Sequence, residues 1–192
     1  MTLGVAQAFH PEEEADDVIA SLVRTTLRGQ CNVILTTDRD LLQLVTDRDE
    51  VLVPVVGGRK EIRFDPAAVE AEYGVPPCQM PVLRAFLGDT SDNIPGVPRL
   101  PVKVAAGLVR TYGGSIQKIY DSGLAEVTKF QYAKLREAEA QVRLNADLMR
   151  LDIGIAFSTA DPARDMPAVQ QRLQEVAIQP DPILAAFFPQ SS

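Results

Sequence analysis

The chain is short of the residues that most metal and nucleophile chemistries need. Its 192 residues hold one histidine, His10, and two cysteines, Cys31 and Cys78. A lone histidine excludes His-rich metal sites and any Ser–His or Cys–His triad that does not use it. Beside Pro11, His10 reads as an exposed loop residue. The two cysteines are far apart and form no C-x-x-C pair, which argues against a disulfide or a zinc site. No apolar run is long enough to cross a membrane. Met1-Thr2-Leu3-Gly4-Val5 has neither the basic region nor the apolar core of a signal peptide, so a cytoplasmic protein with no membrane partner is expected. Repeats, low-complexity tracts and extended linkers are missing too. So is any basic excess: the formal net charge is −7, the opposite of the usual nucleic-acid binder.

What is present is a globular composition, 46% hydrophobic and 23% charged, long enough for one ordinary domain or two small ones. The acids are concentrated. Glu14, Asp16, Asp17, Asp38, Asp40, Asp89 and Asp92 together account for the whole net charge, leaving the rest of the chain neutral. Divalent cations bound there would offset the cluster, so the acidic total is no veto on a nucleic-acid substrate.

The organising stretch is Gly88-Asp89-Thr90-Ser91-Asp92-Asn93-Ile94-Pro95-Gly96-Val97, directly after an apolar run ending at Leu87. If its first part ends a helix, the i,i+3 spacing points Asp89 and Asp92 the same way, toward one hard divalent cation. The alternative is an acidic, solvated loop between two helices. A second helix begins near Pro101-Val102-Lys103, so a helix-turn-helix hangs off the acids.

Upstream, Pro11 to Leu27 has the pattern of an amphipathic helix. Pro11 suits its first turn, Glu12, Glu13 and Glu14 its positive end, and Ala15, Val18, Ile19, Leu22 and Val23 its buried stripe. Glu14 and Asp17 share a face beside Asp16. Cys31 to Thr36 is expected to be a short, doubly covered parallel strand. Thr37-Asp38-Arg39-Asp40 follows at its carboxyl end, where open α/β sheets bind ligands, and leads into a helical segment over Leu41 to Val45. Val51 to Val55 is expected as an edge strand because of Pro54. Gly57 to Lys60 is a hairpin-like turn, and Glu61 to Phe64 returns. Asp65 and Pro66 open a helix as N-cap and first residue. Beyond Tyr73 the chain is expected to be helical over Val82–Leu87, Val102–Thr111, Gly114–Tyr120, Lys129–Leu151 and Val169–Val176. A loop at Pro162–Pro167 and a docked tail at Ile183–Phe188 complete it.

Three acidic clusters thus sit at a helix start, a strand end and the rim of a helix-turn-helix. Their convergence without cations would cost several kcal/mol, on the order of what Coulomb's law gives at the effective dielectric of protein sites. A pair of Mg²⁺ or Mn²⁺ ions resolves the conflict and would align a water for in-line attack on a phosphodiester.

The sequence resembles the 5′ nuclease family of flap endonucleases and the 5′→3′ exonuclease domain of bacterial DNA polymerase I. Glu14-Ala15-Asp16-Asp17-Val18-Ile19-Ala20 is similar to its E-A-D-D-x-I-A element. Thr37-Asp38-Arg39-Asp40-Leu41-Leu42-Gln43-Leu44 is similar to its G-D-x-D-L-x-Q-L element, with Thr37 for glycine. Gly88 to Val97 is similar to its G-D-x-S-D-N-I-P-G-V element. The resemblance runs from about Leu3 to the end. It implies that Asp16, Asp17, Asp38, Asp40, Asp89 and Asp92 bind metal directly or through water, with Glu14 supporting them. It also implies that a helix-three-turn-helix over Asn93 to Leu108 grips duplex DNA, through Asn93, Gly96, Val97 and Lys103, and holds a monovalent cation (K⁺) in its turn, while Arg99 could add a side-chain phosphate contact. Arg99 and Pro101 stand where the family turn has glycines, and Glu12-Glu13 replace a Gly-Tyr pair.

The expected fold is therefore α/β: a partial parallel, PIN-like nuclease sheet with flanking helices over 1–64, then a helical helix-three-turn-helix region over 65–192. The first strand of the family, with its central metal-binding aspartate, and the cationic arch are not in this sequence. An apolar sheet edge is therefore expected, and either the chain is one piece of a longer or split nuclease, or another chain supplies the strands, or the product is catalytically poor. The expected function is divalent-metal-dependent 5′→3′ exonuclease or flap endonuclease action on DNA. Its rivals are a truncated, weakly active or non-catalytic DNA-binding fragment, and a metal-dependent RNase or phosphatase on a related sheet.

Overall fold

The computed structural model of the chain describes residues 6–54 and 61–160. The turn expected at Gly57 to Lys60, the loop at Pro162–Pro167, the helix at Val169–Val176 and the tail at Ile183–Phe188 lie outside the described residues. The chain divides into two compact units. In one, strand β1 (Gln7–Phe9) pairs antiparallel with strand β7 (Ser158–Ala160). The other runs from Asp16 to Ile155 and contains the three-stranded sheet and the helices that follow it in the chain.

Helix α1 spans Ala15–Arg24, four residues later than the pattern suggests. The reason is local. The His10 Nδ1 accepts the backbone N–H groups of Glu12 and Glu13, which folds the preceding residues into a turn of their own. His10 is half-buried rather than fully exposed, and the acids at the helix's positive end are Asp16 and Asp17. The buried face of α1 is Val18, Ala20, Ser21 and Val23. Its last turn is tied to the sheet. Arg24 bonds the buried Asp49 carboxylate at 2.8 Å and the Leu44 carbonyl at 2.8 Å, while Asn32 and Thr46 donate to the same carboxylate.

The sheet has three strands in the order β2 (Asn32–Leu35), β3 (Asp49–Val53), β4 (Ile62–Phe64). β2 and β3 are parallel and β3 and β4 antiparallel, a register that aligns Ile34, Val51 and Phe64 on one buried face. β3 is central, not an edge: Pro54 follows its last residue, so no ladder hydrogen bond is lost. β2 is covered on one face, not two. Val33 is 54% and Leu35 61% exposed on the other, and among the described residues no strand pairs with the outer edge of β2. The segment after β2 turns into a 3₁₀ helix, Asp40–Leu44, which buries Leu41, Leu42 and Leu44.

Helix α2 (Pro66–Tyr73) starts as expected. Asp65 accepts the Ala68 N–H at 2.7 Å, Pro66 opens the first turn, and Gly74 closes the end at φ 75°. After a 3₁₀ turn at Pro77–Gln79, helix α3 (Met80–Leu87) runs through the interior with Met80, Pro81, Val82, Leu83, Ala85 and Phe86 all buried. It packs against helices α4 (Val102–Thr111) and α7 (Glu139–Leu148). Helices α5 (Ile116–Asp121) and α6 (Lys129–Glu137) complete the set, capped by Ser115 and by a Thr128–Gln131 capping box. The single helix expected over Lys129–Leu151 is two, broken at Ala138. No glycine or proline marks that break, so apolar periodicity reads straight through it. No described helix is long and apolar enough to cross a membrane.

Candidate metal centre and nucleic-acid interface

The acidic stretch is a hairpin, not a helix end. α3 stops at Leu87, and Gly88–Asp89 (β5) pairs antiparallel with Ile94–Pro95 (β6), so Asp89 faces Ile94. Asp89 thus ends the first strand and Asp92 lies in the turn that joins the two, and the helical i,i+3 argument for their alignment does not hold. Two glycines make the turn possible. Gly88 sits at φ 76°, and a Cβ on Gly96 would lie 2.1 Å from the Leu87 carbonyl oxygen.

The hairpin is strapped to α7 by Asn145, a side chain with no solvent exposure. Its Nδ2 donates to the Ala85 carbonyl at 3.0 Å and the Pro95 carbonyl at 2.9 Å, and its Oδ1 accepts from Gln141 at 2.7 Å. Asn145→Ala leaves two carbonyls without their donor. A loss of about 2 kcal/mol is expected from one buried and one part-buried acceptor left without their donor, measured by urea unfolding. A loss below about 1 kcal/mol would show that the strap is unimportant.

Asp38 and Asp40 come from the segment after β2. The Thr36 hydroxyl accepts the Asp38 N–H, and the Asp38 carboxylate accepts the Asp40 N–H, which coils this short segment at the strand's carboxyl end. Asp40, Asp89 and Asp92 each bring a carboxylate oxygen to within 4.8 Å of the others. Asp38, Asp89 and Asp92, with Thr37, Arg39, Arg84 and Ser91, line a cavity of about 430 Å³. Ser91 orients Asp89, donating to its Oδ1 from both the backbone N–H and the hydroxyl.

Of the two arginines that line this cavity, Arg84 is the one paired with the acids. Its Nε faces Asp40 Oδ1 at 2.5 Å, and its Nη2 bonds Asp89 Oδ2. The Nε and Oδ1 atoms are buried and meet without hydrogen-bond alignment. Burial pushes the Asp40 carboxyl up to about 6, against the pull of Arg84 and with the help of Asp38, Asp89 and Asp92. The Ser91 hydroxyl, with Arg84 also contributing, holds Asp89 below the ordinary carboxylate range. Two arginines line the cavity beside four carboxylates, and only Arg84 is paired with them. Hard carboxylate oxygens, close together and short of positive charge, are a donor set that suits a divalent cation.

The raised Asp40 value sets a pH dependence. Between the unfolded value of 3.8 and about 6, the folded chain holds a proton that the unfolded chain has lost. The Asp40 contribution therefore destabilises progressively as pH rises through that window. Asp89 acts oppositely and below it, its stabilisation being lost as pH falls through its lowered value. In metal-free buffer the stability of Asp40→Asn relative to the unsubstituted protein should rise from pH 4 to pH 6.5, read by thermal unfolding. A flat difference would refute it.

The remaining candidates lie elsewhere. Asp16 and Asp17 are half-buried in the first turn of α1 and are not members of the 4.8 Å set. Asp17 accepts the Asp152 N–H at 2.8 Å. Glu14 is exposed and immediately precedes α1. In the turn after the hairpin, Asn93 and Arg99 are exposed and take left-handed backbone at φ 57° and 60°. Arg99 thus adopts the conformation that a glycine would favour. Val97 is buried and donates its N–H to the Phe86 carbonyl. Lys103 is exposed in the first turn of α4.

A model of the 5′-3′ exonuclease N-terminal resolvase-like domain matches residues 1–74, and one of the 5′-3′ exonuclease C-terminal SAM fold matches residues 75–171. The chain belongs to the 5′-3′ exonuclease family. It is 39% identical over 168 residues to DNA polymerase I of Mycobacterium tuberculosis (strain ATCC 25618 / H37Rv), a match covering 86% of this chain and 18% of that protein. It is 36% identical over 121 residues to the 5′-3′ exonuclease of Buchnera aphidicola subsp. Baizongia pistaciae, covering 62% of this chain and 38% of that one. Among solved structures, bacteriophage T5 5′-exonuclease with bound zinc shares the fold. Its TM-score is 0.61 at 25% identity, over 72% of this chain and 50% of that chain. The chain thus spans a fraction of the relatives it matches. Motif reading missed two residues at this acidic cluster, Arg84 and Asn145. Arg84 was readable as a cation one helical turn before the acids, whereas nothing local marks Asn145.

Proposed function

We propose that this chain carries the metal centre and DNA hook of a divalent-metal-dependent 5′→3′ exonuclease or flap endonuclease acting on DNA phosphodiesters. The observation that carries the reading is the meeting of Asp40, Asp89 and Asp92 within 4.8 Å, drawn from two separate segments of the chain. In this reading Asp38, Asp40, Asp89 and Asp92 hold one ion, and Asp16 and Asp17, supported by Glu14, serve a second. Mg²⁺ or Mn²⁺ at these sites supplies Lewis-acid polarisation of the phosphodiester and a more acidic water. The protein's own part is orientation: Ser91 fixes Asp89, Asp38 fixes the backbone at Asp40, and Asn145 fixes the hairpin.

The exposed Arg99, Lys103 and Asn93 contact backbone phosphates, which positions DNA without reading its sequence. Gly96 and Val97 hold the turn that presents them. A K⁺ ion in that turn rests on the family resemblance and belongs to the same proposal, as does a cytoplasmic location. The open edge of β2, with Val33 and Leu35 exposed beside it, supports completion of the sheet by a strand from another chain, since unpaired edges template strand addition.

That same open sheet favours one alternative, DNA binding without turnover. Purified protein with Mn²⁺ and a 5′-flap duplex should release short products, and EDTA should stop it. Salt-sensitive binding of the flap duplex with no cleavage would support the alternative. Cleavage of single-stranded RNA in preference to the flap would overturn both.

A further inference from the structure

Arg84 is not explained by fold or by motif. It lies on α3, where its neighbours Leu83 and Ala85 are fully buried, and its own side chain is only 14% exposed. Its guanidinium reaches two carboxylates from different parts of the chain, Asp40 after β2 and Asp89 on β5. Both belong to the three whose oxygens lie within 4.8 Å. The guanidinium therefore bridges two of the acids that the proposed function assigns to metal.

We propose that Arg84 is a positioning residue that holds the Asp40 and Asp89 segments together before metal binds and must release at least one carboxylate when a divalent cation enters. Arg84 thereby sets the metal affinity of the site. Arginine cannot leave by losing its proton, so it has to move, and the ion enters against a like charge. Asp89 does not swing free when released, because Ser91 still grips its other oxygen. The bonds that change are the Arg84 contacts to Asp40 Oδ1 and Asp89 Oδ2.

This inference rests on the reading of the acids as metal ligands, and its test separates the two. Mn²⁺ is titrated calorimetrically into the unsubstituted protein, Arg84→Gln, Arg84→Lys and Asp92→Asn. Thermal unfolding of each is followed with and without Mn²⁺. Arg84→Gln should bind Mn²⁺ about tenfold more tightly, as expected when a nearby like charge is removed. Its metal-free Tm should fall, and the rise on adding Mn²⁺ should exceed that of the unsubstituted protein. Arg84→Lys, which keeps the charge but not the fork, should lie between. If Arg84→Gln does not fold, the lysine variant carries the comparison. A purely structural arginine would lower Tm equally with and without metal. Equal or weaker Mn²⁺ binding in both variants, beside intact binding in the unsubstituted protein, overturns the role of Arg84 and leaves the metal reading standing. No Mn²⁺ binding by the unsubstituted protein, or binding unaffected by Asp92→Asn, overturns the metal reading itself.

Discussion

Asp92→Asn should reduce metal-dependent cleavage of a 5′-flap duplex at least about a hundredfold, in line with the loss expected when a metal site is disturbed, while leaving stability within about 0.5 kcal/mol. Asp92 is exposed yet contributes an oxygen to the 4.8 Å set, so its removal takes away a proposed ligand and little else. Asp89→Asn should lose as much activity and also destabilise the fold by about 1–2 kcal/mol, because its carboxylate pairs with the largely buried Arg84. The two variants together separate chemistry from architecture. Initial cleavage rates in Mn²⁺ and urea midpoints measure both. If Asp92→Asn retained the full rate, the exposed carboxylate would be an ordinary surface acid and the metal assignment would fail.

The larger structural effect is expected at Gly96. An alanine Cβ there would lie 2.1 Å from the Leu87 carbonyl oxygen, 2.2 Å from its carbon and 2.6 Å from the Gly88 nitrogen. All three are backbone atoms at the end of α3, so no side chain can rotate away. The hairpin must open, taking Asp89 and Asp92 out of register with Asp40. A loss of about 4 kcal/mol is expected, at the large end for single substitutions, with Tm lowered by about 10 °C. Gly107 on α4 is the internal control, since a Cβ there meets nothing within 4 Å. Gly107→Ala should stabilise by about 0.5–1 kcal/mol through helix propensity alone. Differential scanning calorimetry of the pair distinguishes steric collapse from a general intolerance of glycine replacement. Equal Tm values would refute the account.

Local chemistry was legible wherever it is written in adjacent residues. The Asp65–Pro66 start of α2, the limits of α4 and the three acidic motifs follow from capping preferences and from residue types at fixed spacing. Errors arose where a longer-range partner decides. His10 gathers the N–H groups of Glu12 and Glu13 and delays α1. Val33 and Leu35 read as a buried strand by composition, but burial depends on what covers the second face, and periodicity carries no such information. Helical i,i+3 spacing predicts that Asp89 and Asp92 share a direction, but they come near each other through a hairpin, Asp89 on β5 and Asp92 in the turn that follows.

The residues alone determined the family and the order of its acidic motifs, because a motif is a constraint on side-chain type and spacing. Only the folded chain decided which acids meet. It drew Asp40 up to Asp89 and Asp92, left Asp16 and Asp17 outside that group, and set Arg84 between carboxylates distant in sequence. It also placed Asn145 across the hairpin. The physical reason is that charge repulsion and buried hydrogen bonds act through space, and they are settled only when distant segments share one low-dielectric interior.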